Sequence, residues 1–122
     1  MRAITCLTFG SPAVMQWADV PMPEPAGGEV LIKVAAAGIN RADLLQRQGK
    51  YPPPAGVSDI LGMEVSGEVM ALGTNAMHWK VGDKVCALLS GGGYAEYAVA
   101  PEAQSGPRPR PQYAARRRHG CP

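Results

Sequence analysis

The sequence predicts a mainly β domain in which six or seven short, mostly antiparallel strands form a partly open barrel around one short helix. Glycine and proline are frequent, with 15 and 12 copies among 122 residues, and they favour turns between short elements. Strand-forming residues recur in short runs that end at glycine or proline. The length allows one modest hydrophobic core, so we expect a single folded domain.

The first third of the chain predicts three strands. Residues 2–9 are strand-forming, and the segment Gly10–Pro12 has the composition of a turn. Residues 15–20 predict a second strand, which the following prolines end because they cannot donate a ladder hydrogen bond. Residues 29–38 are almost continuously apolar, which indicates a buried strand.

One short helix follows the third strand. Asn40 is a good N-cap residue, because its side chain can accept from free backbone N–H groups of the first turn. Leu44, Leu45 and Gln48 continue at helical spacing up to Gly49. The sequence therefore predicts a helix over residues 41–48.

The remaining elements lie between residue 51 and residue 101. Three successive prolines predict an extended loop over residues 51–56, with Tyr51 at its start. Residues 63–72 and 85–89 read as strands, the first with a bend or bulge at Gly67. Alternating polar and apolar residues predict a last strand over residues 94–100.

The C-terminal end differs in composition from the rest of the chain. Residues 1–104 contain seven basic and ten acidic side chains, whereas residues 105–122 contain five arginines and no acid. This last segment has no apolar periodicity and cannot bury an apolar face. We therefore expect one domain over residues 1–104 and a disordered basic tail over residues 105–122. Its prolines and single tyrosine do not favour a nucleic-acid partner.

Several classes of protein are disfavoured by the same sequence. No apolar run approaches the ~20 residues of a membrane helix, and no secretion signal precedes the first strand. We therefore expect a cytoplasmic protein without a membrane partner. The cysteines Cys6, Cys86 and Cys121 are far apart, and His78 and His119 are isolated. No metal site is predicted from this pattern.

Four motifs occur in a characteristic order: Gly38–Asp43 (GINRAD), Arg47–Pro54 (RQGKYPPP), Leu61–Gly67 (LGMEVSG) and Val81–Val85 (VGDKV). Together they resemble the medium-chain dehydrogenase/reductase superfamily, and within it the zinc-free NADPH:quinone oxidoreductases, in the branch that contains the p53-inducible quinone oxidoreductase. The resemblance covers residues 1–104. It implies the N-terminal, GroES-like domain of such an enzyme.

The resemblance also implies roles for particular residues. Asn40 and Met63 occupy the positions of a zinc-binding cysteine and histidine in the zinc alcohol dehydrogenases, and neither an amide nor a thioether suits zinc. Asn40 is expected beside the nicotinamide or the substrate, or simply as a helix cap. Tyr51 is expected to donate its phenol proton to a quinone oxygen, or to fill the loop as an aromatic plug. Asp43 is expected to bind near the cofactor or to orient its neighbours.

The resemblance further implies that a Rossmann-type cofactor domain is missing from this chain, so that NADPH binds weakly or not at all. A reading-frame shift near codon 105 would explain the basic tail. The expected function is that of the substrate-side fragment of an NAD(P)H:quinone oxidoreductase, inactive alone. The alternative is a non-catalytic β domain that binds a protein partner through its exposed interdomain face.

Overall fold

The computed structural model describes residues 1–6, 8–50 and 60–107. Two single-turn 3-10 helices, Pro12–Val14 and Glu102–Gln104, accompany the regular elements. These are β1 (Arg2–Cys6), β2 (Met15–Asp19), β3 (Glu29–Ala37), α1 (Arg41–Arg47), β4 (Glu64–Leu72), β5 (Lys84–Leu88), β6 (Tyr97–Pro101) and β7 (Ser105–Pro107).

The strands form two open sheets. β1 and β2 pair as a two-stranded sheet, and the other strands form a five-stranded sheet in the order β6-β3-β4-β5-β7. Every strand pairing among the described residues is antiparallel. An isolated bridge between Ala3 and Ala95 links β1 to the segment before β6, next to a hydrogen bond from the Ile4 N–H to the Tyr94 carbonyl at 2.8 Å. The prediction of a mainly β domain with one short helix is confirmed.

The hydrophobic core lies on the five-stranded sheet and is built largely from β-branched residues. Val30 and Ile32 of β3 pack with Val65 and Val69 of β4 and with Val85 of β5, and all are at most 1% exposed. Alternate residues of β4 face the core, which is the period of a strand with one buried face.

The strand predicted to be buried over residues 29–38 is buried only in its first half. Residues 30–33 of β3 pair with both β4 and β6, whereas residues 34–37 continue beyond the β6 ladder. Ala35, Ala36 and Ala37 are exposed as a result. Small residues suit this segment because it has neighbours on one side only.

The irregularity predicted at Gly67 is found in the β3–β4 ladder, with the extra residue on the opposite strand. Val34 pairs with Gly67 and Ala36 pairs with Ser66, so Ala35 has no direct partner. A Cβ atom at position 67 would lie 2.1 Å from the Lys33 carbonyl oxygen. Gly67 is therefore required by the close approach of β3.

Among the predicted boundaries that differ from the structure, two are set by contacts with distant parts of the chain. β6 begins at Tyr97 rather than at residue 94, because the backbone N–H of Tyr94 turns aside to donate to the Leu61 carbonyl at 2.9 Å. The tail predicted from residue 105 is wrong for its first three residues, since β7 pairs with β5. Pro107 lacks an N–H, but β7 is an edge strand, where proline is tolerated.

The predicted tail beyond Pro107 and the predicted loop with Tyr51 lie outside the described residues. No helix in the described part of the chain has both the length and the apolar character needed to cross a membrane.

Candidate functional site

The helix α1 begins at the position that the sequence predicted. Asn40 is its N-cap, with extended backbone angles of φ −123° and ψ 157°. Its carbonyl oxygen accepts a hydrogen bond from the Asp43 N–H at 3.0 Å. The Asn40 side chain is exposed. Asn40 and Asp43 form a capping box that fixes the start of the helix, and the exposed part of the Asn40 amide remains open to a ligand.

Asp43 lies in the first turn of α1 and is 1% exposed. Its Oδ2 accepts from the Asn40 backbone N–H at 3.0 Å and from the Tyr94 hydroxyl at 3.1 Å. Its Oδ1 accepts from the Gly62 backbone N–H at 3.2 Å. A buried carboxylate is tolerated when donors surround it in this way. Asp43 thus joins the start of α1, the segment before β4 and the segment before β6.

Tyr94 is the member of this network that sequence reasoning missed. Burial raises the pKa of Tyr94 to about 12, and the charge and hydrogen bond of Asp43 act in the same direction. The phenol is therefore protonated at neutral pH and serves as a donor to Asp43. No spacing rule connects residue 94 with residue 43, so the sequence carries no local signal for this pair.

The perturbed phenol gives a direct test. We expect the difference in phenolate absorbance between the native chain and Tyr94→Phe to have its midpoint near pH 12 rather than near the ordinary value of 10. The folded state favours the protonated phenol, so the contribution of Tyr94 to stability is complete below about pH 10. It is lost as the pH rises toward 12.

Urea unfolding of both chains at several pH values measures that contribution. The difference in the free energy of unfolding between the two chains is expected to be constant from about pH 7 to about pH 9 and to shrink above about pH 10. A midpoint near pH 10 for Tyr94 would contradict the partly buried hydrogen bond to Asp43.

A cavity of about 510 Å³ lies on the other side of this network. It is bounded by β1, β2, α1, residues 93–96 and the part of β3 that extends beyond the β6 ladder. Asp43 and Tyr94 form part of its wall, together with Trp17, Leu44, Arg47 and Leu61. We call this space the Arg47 cavity.

The structure brings two of the three predicted site residues together. Asn40 and Asp43 are adjacent and joined by a hydrogen bond, whereas Tyr51 lies outside the described residues. Met63, which precedes β4, is partly buried. Within residues 1–6, 8–50 and 60–107, no three His, Cys, Asp or Glu side chains come close enough to hold a metal ion.

The sequence of the chain matches a known family model. The match is to the alcohol dehydrogenase GroES-like domain and covers residues 26–110. The chain therefore belongs to the family of alcohol dehydrogenase GroES-like domains.

Its relatives include quinone oxidoreductases of the medium-chain dehydrogenase/reductase type, as the motifs indicated. The chain is 38% identical to the chloroplastic quinone-oxidoreductase QR1 of Triphysaria versicolor, with all of this chain and 39% of that protein aligned. It is also 38% identical to human quinone oxidoreductase over 84% of this chain and 32% of the human protein.

A solved structure shows the same arrangement. The Escherichia coli quinone oxidoreductase complexed with NADPH superposes with a TM-score of 0.79 and 29% identity, over 89% of this chain and 33% of that one. This chain thus spans between 32% and 39% of the length of these three proteins.

Proposed function

We propose that this chain is the N-terminal, substrate-side part of an NAD(P)H:quinone oxidoreductase. The similarity to proteins of that name supports the reaction class, and their greater length supports the need for a further cofactor-binding part. The observation that carries the proposal is the exposed amide of Asn40 on a backbone held by the buried Asp43.

Asn40 and Tyr51 are the proposed catalytic residues. When bound, NADPH supplies a hydride to an electron-poor acceptor. The Asn40 amide orients the nicotinamide or the acceptor by a hydrogen bond, and the Tyr51 hydroxyl donates to the quinone oxygen as negative charge develops there.

Asp43 is proposed to act on the cofactor side of the site by orienting Asn40. Its carboxylate is 1% exposed and already accepts three hydrogen bonds from the chain. That burial favours an orienting role over direct contact with NADPH. Asp43 therefore contributes to cofactor binding only indirectly, through the position of Asn40.

A zinc-independent reaction fits the donor set. The two positions that correspond to zinc ligands in the alcohol dehydrogenases hold the Asn40 amide and the Met63 thioether. Neither is a usual ligand for Zn²⁺. We therefore assign positioning and polarity, rather than Lewis-acid catalysis, to this domain.

A chimera tests the proposal. Residues 1–104 of this chain are joined to the part of human quinone oxidoreductase that lies beyond the aligned region, and NADPH-dependent reduction of 1,4-benzoquinone is measured. We expect turnover by the chimera and a fall in kcat/KM of about tenfold or more for Asn40→Ala, since the lost hydrogen bond acts on the reacting groups. Gln16→Ala, which removes another exposed amide, is expected to leave kcat/KM unchanged.

The chain by itself completes the test. We expect no quinone reduction and no saturable shift in its unfolding temperature when NADPH is added. Turnover by the chain alone would contradict the proposed need for a further cofactor-binding part. Full activity of the Asn40→Ala chimera would contradict the proposed catalytic role of Asn40.

A further inference from the structure

Arg47 lies at the C-terminal end of α1 and is partly buried in the wall of the Arg47 cavity. Its Nε donates to the Gly10 carbonyl at 3.0 Å. In the described part of the chain no carboxylate lies within ion-pair distance of this guanidinium, and the ion pair found there joins Lys84 to Glu68. Among the residues that the structure describes, the terminal nitrogens of Arg47 therefore have no anionic partner.

The carboxylates around the cavity are occupied elsewhere. Both oxygens of Asp43 accept hydrogen bonds from within the chain. Glu96 accepts from the Arg2 backbone N–H and is exposed. A partly desolvated cation without a counter-ion gains more from an entering anion than an exposed cation does.

The rest of the cavity is apolar. Leu44, Leu61 and Val34 line it, and the small side chains of Ala35 and Ala36 leave room beside them. Trp17 contributes an aromatic ring that is 61% exposed. The volume of about 510 Å³ is within the range of roughly 300–1,000 Å³ that is typical of small-molecule sites.

We propose that the Arg47 cavity binds a flat, ring-containing apolar molecule that carries a carboxylate. The terminal N–H groups of Arg47 hold the carboxylate, since a guanidinium matches its two oxygens. The ring system contacts Trp17 and the aliphatic wall. The cavity adjoins the proposed hydride-transfer site, because Asp43 lies in its wall and holds the Asn40 backbone. Asn40 itself does not line the cavity.

The experiment compares two probes of nearly the same shape, 2-naphthoate and the uncharged 2-naphthamide, by isothermal titration calorimetry with the purified chain. We expect saturable binding of 2-naphthoate with at least about tenfold higher affinity, because hydrogen bonds to a charged group are the stronger kind. In a two-dimensional NMR titration, the largest shifts are expected at the Trp17 indole and the methyl groups of Leu44 and Leu61.

Two variants assign the effect to Arg47. Arg47→Gln is expected to lower the affinity for 2-naphthoate about tenfold or more and to leave the affinity for 2-naphthamide unchanged. Arg41→Gln removes the same charge from an exposed position of the same helix, outside the cavity wall, and is expected to bind both probes as the native chain does.

The probe pair keeps the proposal testable if Arg47→Gln fails to fold, which circular dichroism will show, since it needs only the native chain. Equal affinity for the two probes, no saturable binding of 2-naphthoate, or NMR shifts centred away from Trp17 and Leu44 would each overturn the proposal. Because no cofactor or quinone is used, these outcomes are independent of the proposed oxidoreductase function.

Discussion

Asp43→Asn is expected to lower the free energy of unfolding by about 2–4 kcal/mol. The native carboxylate accepts from three donors, on Asn40, Gly62 and Tyr94. An asparagine amide offers one oxygen and one NH2 group, so in either orientation its N–H faces a backbone N–H at a buried position. A loss of this size is a large part of the total stability of a small domain. Urea unfolding followed by circular dichroism measures it.

Asp19→Asn is the matched control. Asp19 is an exposed carboxylate at the end of β2, and its replacement is expected to change the free energy of unfolding by less than about 0.5 kcal/mol. If Asp43→Asn were as mild as Asp19→Asn, the network of hydrogen bonds around Asp43 would contribute nothing to folding.

Gly67→Ala is expected to destabilise the chain by about 3 kcal/mol. The new Cβ atom would lie 2.1 Å from the Lys33 carbonyl oxygen and 2.9 Å from Cγ2 of Ile32. The first of these is backbone in the central β3–β4 pair, so it can move only if the ladder opens. The midpoint of urea unfolding is expected to fall accordingly.

Gly27→Ala makes the same chemical change where space exists. A Cβ atom at position 27 would lie 3.7 Å from the Thr74 carbonyl oxygen, which is ordinary contact, and we expect a change of less than about 0.5 kcal/mol. Equal stability of the two variants would show that β3 and β4 are not in the close contact described here.

The elements that the sequence predicted well are those defined by local pattern. The period of two in β4 and the glycine and proline residues between runs located every strand as far as β6, to within three residues at each end. Asn40 was located as the helix cap because the capping preference is itself local. The four ordered motifs led to the family that the comparisons show.

The errors arose where a distant contact decides the backbone. Residues 94–96 alternate like a strand, but Tyr94 is held by Leu61 and Ile4 outside the β6 ladder. Residues 105–107 have the composition of a tail, but they pair with β5 at the edge of the sheet. Residues 29–38 are almost uniformly apolar, so the sequence did not indicate that β6 pairs only with the first half of β3.

The candidate site was predictable in part for the same reason. Asn40 and Asp43 lie within one helical turn, so their proximity follows from the sequence. The partners of Asp43 at Gly62 and Tyr94 are distant in the chain, and nothing in their local sequence identifies them. The assignments of Tyr51 and of the tail beyond residue 107 remain predictions.

Two of the hydrogen bonds of Tyr94 have a mechanical consequence. Its carbonyl is attached to β1 through Ile4, and its phenol is attached to the carboxylate that holds the start of α1. Any displacement of the N-terminal strand is therefore transmitted through one rigid aromatic residue to the backbone of Asn40. We therefore expect the fluctuations of the amide at the helix start to be correlated with those of the N-terminal strand.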